Sequence, residues 1–171
     1  MSLHRHILLT LLALASVHAN ATSRMGQAAV ITEAGLPCFK IADEEEQTRG
    51  RTRLKMLTIS EQTANGWQDI WIVMFPNESF GDPHYQLPKS ACIRYGHAPA
   101  GVEASDATPL QAGKIYSVFF MGRPPSASDP TSRYGTKFCV LASSSGELRA
   151  VQLSRGARGS LDTSCAAPAT P

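Results

Sequence analysis

The sequence lacks the short motifs by which common catalytic sites are recognised. Its 171 residues contain no Gly-x-Ser-x-Gly segment, the nucleophile motif of many hydrolases, and no glycine-rich loop that would cradle a phosphate. No Cys-x-x-Cys pair occurs, which argues against a zinc knuckle and a thioredoxin-like redox site. We therefore expect no catalytic residue, no cofactor and no metal site, and a chain that is not an enzyme.

Histidine and net charge are also scarce. Of the five histidines, His4, His6 and His18 lie in an N-terminal segment that we expect to be removed, so His84 and His97 remain for a metal site or a catalytic triad. The formal net charge is +2, which is too small to predict binding to nucleic acid or to an anionic membrane. We expect no nucleic-acid partner.

The N terminus has the three parts of a secretory signal. A basic start at Arg5 precedes an apolar run over residues 7–17, and the small residues of Val17-His18-Ala19 permit cleavage after Ala19. The run is shorter than the roughly 18 apolar residues that a membrane-spanning helix needs. No cysteine lies directly after it at a lipidation site. We predict a signal peptide over residues 1–19 and a periplasmic mature chain without a lipid or membrane anchor.

All four cysteines follow the predicted signal. An even number of cysteines in an exported chain predicts two disulfides, for which three pairings exist. We favour Cys38 with Cys92 across the two sheets of a sandwich, because both fall in predicted core strands, and Cys139 with Cys165, which would tie down the C-terminal tail.

Short segments rich in β-branched and aromatic residues, separated by turn residues, predict an all-β protein. Asn65-Gly66 is a turn signal that predicts a hairpin over residues 54–75, and residues 137–154 predict a second hairpin. In the segment 67–75, Trp71 and Val73 fall on one face while Ile72 and Met74 fall on the other. This pattern predicts a central strand with both faces covered. The four acids of 43–46 are interpreted as a solvated turn.

About seven strands without a helical period favour an antiparallel β-sandwich of immunoglobulin-like type, stapled by disulfides. The predicted organisation is a leader or edge strand over residues 20–35, a single sandwich domain over 36–155, and a tail over 156–171 that Cys165 would pin.

Several segments between residues 36 and 153 together resemble a known family. These are Leu36-Pro37-Cys38-Phe39-Lys40-Ile41, Cys92-Ile93-Arg94-Tyr95-Gly96, Gly113-Lys114-Ile115-Tyr116 and Lys137-Phe138-Cys139-Val140. Their order is similar to that in the small periplasmic lipoproteins of Gram-negative bacteria described as type VI secretion immunity proteins. This chain departs from that family in lacking the lipidated cysteine.

The resemblance implies that the protein binds and occludes a toxin delivered into the periplasm by a type VI secretion system. Its affinity would be concentrated in a few aromatic and arginine anchors on loops. Chosen by residue type, the candidate partner-binding residues are Asp82, His84, Tyr85, Arg123, Arg133 and Tyr134. A non-catalytic sandwich module that binds carbohydrate, pilus or cell-envelope components remains the alternative; exposed aromatics on a flat face would favour it.

Overall fold

The computed structural model describes residues 24–76, 85–143, 146–153 and 165. The chain is mostly β, as the sequence predicts. Its strands are β1 (Met25–Glu33), β2 (Leu36–Ile41), β3 (Arg53–Thr63), β4 (Gly66–Met74), β5 (Ile93–Arg94), β6 (Glu103–Ala104), β7 (Ile115–Arg123), β8 (Arg133–Ala142) and β9 (Leu148–Gln152), and its helix is α1 (Asp43–Arg49).

The strands form one mixed sheet in the order β5-β2-β1-β8-β7-β3-β4-β6. One edge of β8 is divided between two partners. Its first residues, Arg133 to Gly135, pair in parallel with β1, and its later part pairs with β9 in antiparallel fashion. The other strand pairs are antiparallel. The segment 20–35, predicted as a leader or an edge strand, thus supplies β1 between β2 and β8.

The sheet curls so that strands far apart in its order share one core. Trp71 of β4 packs edge-on against Tyr95, which follows β5, with ring centroids 5.2 Å apart. The Tyr95 hydroxyl donates a hydrogen bond to the Thr108 carbonyl oxygen at 2.6 Å. Phe39 of β2 packs against Phe138 of β8 at 5.4 Å. The immunoglobulin-like sandwich is therefore not confirmed: the core is enclosed by a half-barrel made from one sheet.

Both predicted hairpins form. β3 and β4 are joined through Ala64 and Asn65, with Gly66 at a φ of 115° as the first residue of β4, and β8 and β9 pair along residues 138–152. A third hairpin joins β1 to β2 through Ala34 and Gly35, whose φ values of 50° and 76° are those of a primed turn. Positive φ at both central residues matches the twist of the flanking strands, which explains how a two-residue link connects them.

The disulfides pair as predicted, Cys38 with Cys92 and Cys139 with Cys165. The first joins neighbouring parts of one sheet rather than two sheets, because β2 pairs directly with β5, which begins one residue after Cys92. The second fixes Cys165 to β8. The predicted signal peptide, and residues 156–171 other than Cys165, lie outside the described residues. Among the described residues, no helix has the length and apolar character needed to cross a bilayer.

The acids of 43–46 begin a helix, α1, and the predicted solvated turn is wrong. Acids in the first turn of a helix interact favourably with its dipole, and Gly50, with a φ of 80°, ends the helix. Glu45 is buried on the inward side, where it accepts hydrogen bonds from the Arg24 guanidinium at 2.8 Å and from the Gln27 backbone N–H at 3.1 Å. Glu45 can be buried as a carboxylate because these donors satisfy its hydrogen-bonding capacity.

An ionic network ties the long loop before β8 to α1. The Arg49 guanidinium donates a hydrogen bond to Asp129, whose side chain is only 6% exposed, and Asp129 also accepts from the Thr131 backbone N–H at 2.9 Å. Burial alone would raise the pKa of Asp129, but the hydrogen bonds from Arg49 and Thr131 outweigh it and lower that pKa to about 2. The hydrogen bond from Arg24 likewise lowers the pKa of Glu45.

Candidate functional site

One side of the sheet is turned away from the core. Leu57 of β3 pairs with Val73 of β4 and Phe120 of β7, and all three side chains are fully buried. Because side chains alternate along a strand, the residues next to these three lie on the opposite side. We call that side of β1, β3, β4, β7 and β8 the outer face. No described helix or strand is layered on it.

A row of methionines crosses the outer face. Met56 of β3 is paired directly with Met74 of β4 on one side and with Met121 of β7 on the other. Arg133 of β8 pairs with Met121 and, beyond it, with Met25 of β1. Met25 is 51% exposed and Met74 41%. We call Met25, Met56, Met74 and Met121 the methionine row; they are four of the five methionines in the sequence.

A second row lies beside the methionines and contains a cleft. Ile72, Thr58, Phe119 and Gly135 are paired in succession across β4, β3, β7 and β8. A side chain at Gly135 would place a Cβ 3.3 Å from the Val118 carbonyl oxygen. Its absence leaves a cleft of about 450 Å³ whose lining includes Met25, Phe119 and Lys137.

Trp67 and Lys137 span the next part of the outer face. The Lys137 ammonium lies 4.9 Å from the centroid of the Trp67 ring, although two strands separate β8 from β4. The small residues Ser60 and Ser117 pair between them, and Ser60 is only 9% exposed although it lies on the outer face. Trp67 remains 45% exposed. An exposed indole held by a cation is a ready contact for a partner.

Two of the predicted partner-binding residues lie on this face. Arg133 is an exposed member of the row that contains the methionines, and Arg123 is exposed where β7 ends, paired with Arg53 of β3. Their proximity comes from the sheet register, because β7 and β8 pair on either side of the long loop that separates the two arginines in sequence.

The other predicted residues do not join them. The prediction that Tyr134 contacts a partner is wrong, because its side chain is fully buried. Tyr134 of β8 pairs with Phe120 of β7, on the core side of the sheet. Tyr85 is half-buried: its ring stacks on Phe75 at 4.8 Å, and its carbonyl oxygen accepts a hydrogen bond from the Leu54 N–H. Asp82 and His84 lie outside the described residues.

The described residues contain one group of three acid, histidine or cysteine side chains close enough to share a metal ion, Glu33 with Cys38 and Cys92. The Glu33 carboxylate lies 3.3 Å from both sulfurs. The sulfurs are bonded to each other in a disulfide, so neither is the thiolate that binds a metal. This group is therefore a carboxylate beside a structural bridge.

Comparison with family models, with curated proteins and with solved structures finds no match for this chain. Its function must therefore be argued from its own residues. The outer face was not anticipated from the sequence, although the apolar residues on both sides of β4 were a signal of it. They predicted a strand covered twice, whereas Ile72 and Met74 lie on the uncovered side.

Proposed function

We propose that this chain is an exported, non-catalytic protein that binds another protein through its outer face. The observation that carries the proposal is the combination of exposed Met74, Met25 and Trp67 with exposed Arg133 on one continuous sheet surface. Methionine, tryptophan and arginine are enriched in protein interfaces, and tryptophan and arginine dominate their binding energy.

The partner that we propose is a toxin delivered into the periplasm by a type VI secretion system. The resemblance of the segments between residues 36 and 153 to periplasmic immunity proteins supports this choice, and two disulfides fit an oxidising compartment. The mechanism is occlusion: the outer face covers the active site of the toxin, so this chain needs no catalytic group of its own.

Co-expression tests the proposal. The product of a neighbouring reading frame that encodes a secreted hydrolase is directed to the periplasm with and without this chain, and survival of the cells is measured. We expect the chain to protect. Arg133→Glu reverses a charge on the outer face and should reduce protection, whereas Arg94→Glu makes the same change at an exposed position on β5 and should not. Equal killing with and without the chain would refute the immunity role.

The exposed ring of Trp67 is the observation that favours the alternative, a module that binds envelope carbohydrate. Sugar rings stack on bare aromatic faces, but the Lys137 ammonium lies over this one. Titration of the protein with cell-wall oligosaccharides, followed by Trp fluorescence, tests this reading. Saturable quenching that is lost in Trp67→Ala would favour carbohydrate over a protein partner.

A further inference from the structure

Three thioethers lie side by side on the outer face. Met74, Met56 and Met121 occupy one row on three adjacent strands, and each neighbouring pair is in direct register. The Cβ atoms of directly opposed residues in antiparallel strands are about 4.5–5.5 Å apart. Rotation about the Cα–Cβ and Cβ–Cγ bonds of an unbranched methionine moves its sulfur, so the three sulfurs can turn towards a point above the central residue, Met56.

Charged side chains lie at both ends of this methionine cluster. On one side, Glu103 of β6 pairs with Met74, and the two line the same shallow cleft. On the other side, Arg133 pairs with Met121 and separates it from Met25. A cation bound by the three sulfurs would have a carboxylate at one end and would be kept from Met25 by a guanidinium. The site therefore comprises three sulfurs, not four.

We propose that Met56, Met74 and Met121 form a binding site for a soft monovalent cation, with copper(I) as the natural class of ligand and silver(I) as its redox-inert analogue. Thioethers are neutral, soft ligands that select copper(I) over hard cations such as magnesium or calcium. No cysteine thiolate, a stronger soft ligand than a thioether, competes for the cation, because all four cysteines are in disulfides. Neither ligand exchange nor binding changes the oxidation state of any group.

Packing alone does not explain these methionines. On the core side the same strands use Leu57, Val73 and Phe120, and strands generally favour β-branched and aromatic residues. On the outer face Met74 is 41% exposed, and the other two members of the site are half-buried, so none of the three is enclosed in the core. The proposal is independent of any protein partner and can be tested without one.

The test is a titration of the purified chain, disulfides intact, with silver nitrate in chloride-free buffer. The methionine methyl groups, labelled with ¹³C, are followed by NMR. We expect saturation at one silver ion per chain, with movement of the Met56, Met74 and Met121 methyl signals and little movement of Met25. Individual Met→Leu variants assign the signals, because leucine keeps the apolar volume.

Three variants test which methionines bind the silver ion. Met56→Leu removes the central ligand and should weaken silver binding by about tenfold or more. The triple variant Met56→Leu, Met74→Leu, Met121→Leu should abolish saturable binding, whereas Met25→Leu, a matched change in the same row, should leave it unchanged. Saturable binding that survives in the triple variant, or no saturable binding by the unmodified chain, would overturn the proposal. Circular dichroism of each variant confirms that the sheet is intact.

Discussion

The ion pair between Asp129 and Arg49 makes a quantitative prediction about acid stability. The pKa of Asp129 is lowered in the folded chain from an ordinary value of 3.8 to about 2. At about 1.4 kcal/mol for each unit of pKa, this difference stabilises the fold by about 2 kcal/mol at neutral pH. Because the folded pKa is the lower one, the stabilisation is present above pH 3.8 and is lost as the pH falls through about 2.

Asp129→Asn isolates this contribution. Asparagine keeps the shape of the side chain and an oxygen that can accept the Thr131 N–H, but it removes the charge that Arg49 neutralises. We expect urea unfolding at pH 7 to show the variant about 2 kcal/mol less stable than the unmodified chain, and the gap to close near pH 2. Other carboxylates, including Glu45, titrate in both proteins, so the comparison is made between the two at each pH.

A stability gap of the same size at pH 7 and pH 2 would mean that the substitution acts through packing and not through the charge of Asp129. The absence of a gap at pH 7 would mean that the Asp129–Arg49 pair does not stabilise the fold. Arg49→Met is the complementary change: it leaves Asp129 buried without its cation, so its destabilisation at pH 7 should exceed that of Asp129→Asn.

Three further changes test the fold and its surface. Gly122→Ala should lower stability by about 1–3 kcal/mol, seen as a reduced melting temperature, because the new Cβ would lie 2.5 Å from a backbone carbonyl oxygen on β3. Replacing both Cys139 and Cys165 by alanine should cost about 2–4 kcal/mol in urea unfolding, and an unchanged midpoint would mean that this bridge constrains little. Lys137→Met should leave stability within about 1 kcal/mol while changing the fluorescence of Trp67, since it removes the ammonium 4.9 Å from the ring.

The sequence predicted the strands and disulfides better than their arrangement. Alternation and the Asn65-Gly66 turn identify individual hairpins, because hairpin pairing is local. The parallel pairing of β1 with Arg133 to Gly135 joins segments more than 100 residues apart, and no local pattern records it. The half-barrel depends on that pairing. The strand pattern of the sequence was therefore equally consistent with a sandwich and with a half-barrel.

The errors at single residues have physical causes of the same kind. Tyr134 follows a proline-containing loop and resembles a loop residue, yet β8 begins at Arg133 and directs the Tyr134 ring into the core. The acids of 43–46 resemble a solvated turn. Glu45 is nevertheless buried in a helix, because it forms ion pairs with Arg24, which lies 21 residues earlier, and with Arg49, one helical turn later. In both cases the structure depends on contacts that form only in the folded chain.

The methionine row is part of both the proposed protein-binding surface and the proposed cation site, and replacement of its sulfur atoms distinguishes the two roles. A protein contact surface can be formed by any unbranched, adaptable apolar side chain, whereas a cation site needs the sulfur itself. Biosynthetic replacement of methionine by norleucine exchanges each sulfur for a methylene group and keeps the unbranched side chain. We expect the norleucine protein to unfold within about 1 kcal/mol of the unmodified chain, to protect cells from the toxin, and to lose saturable silver binding. Silver binding that persists in it would exclude the thioethers as ligands, and lost protection with an intact fold would mean that the partner requires sulfur on this surface.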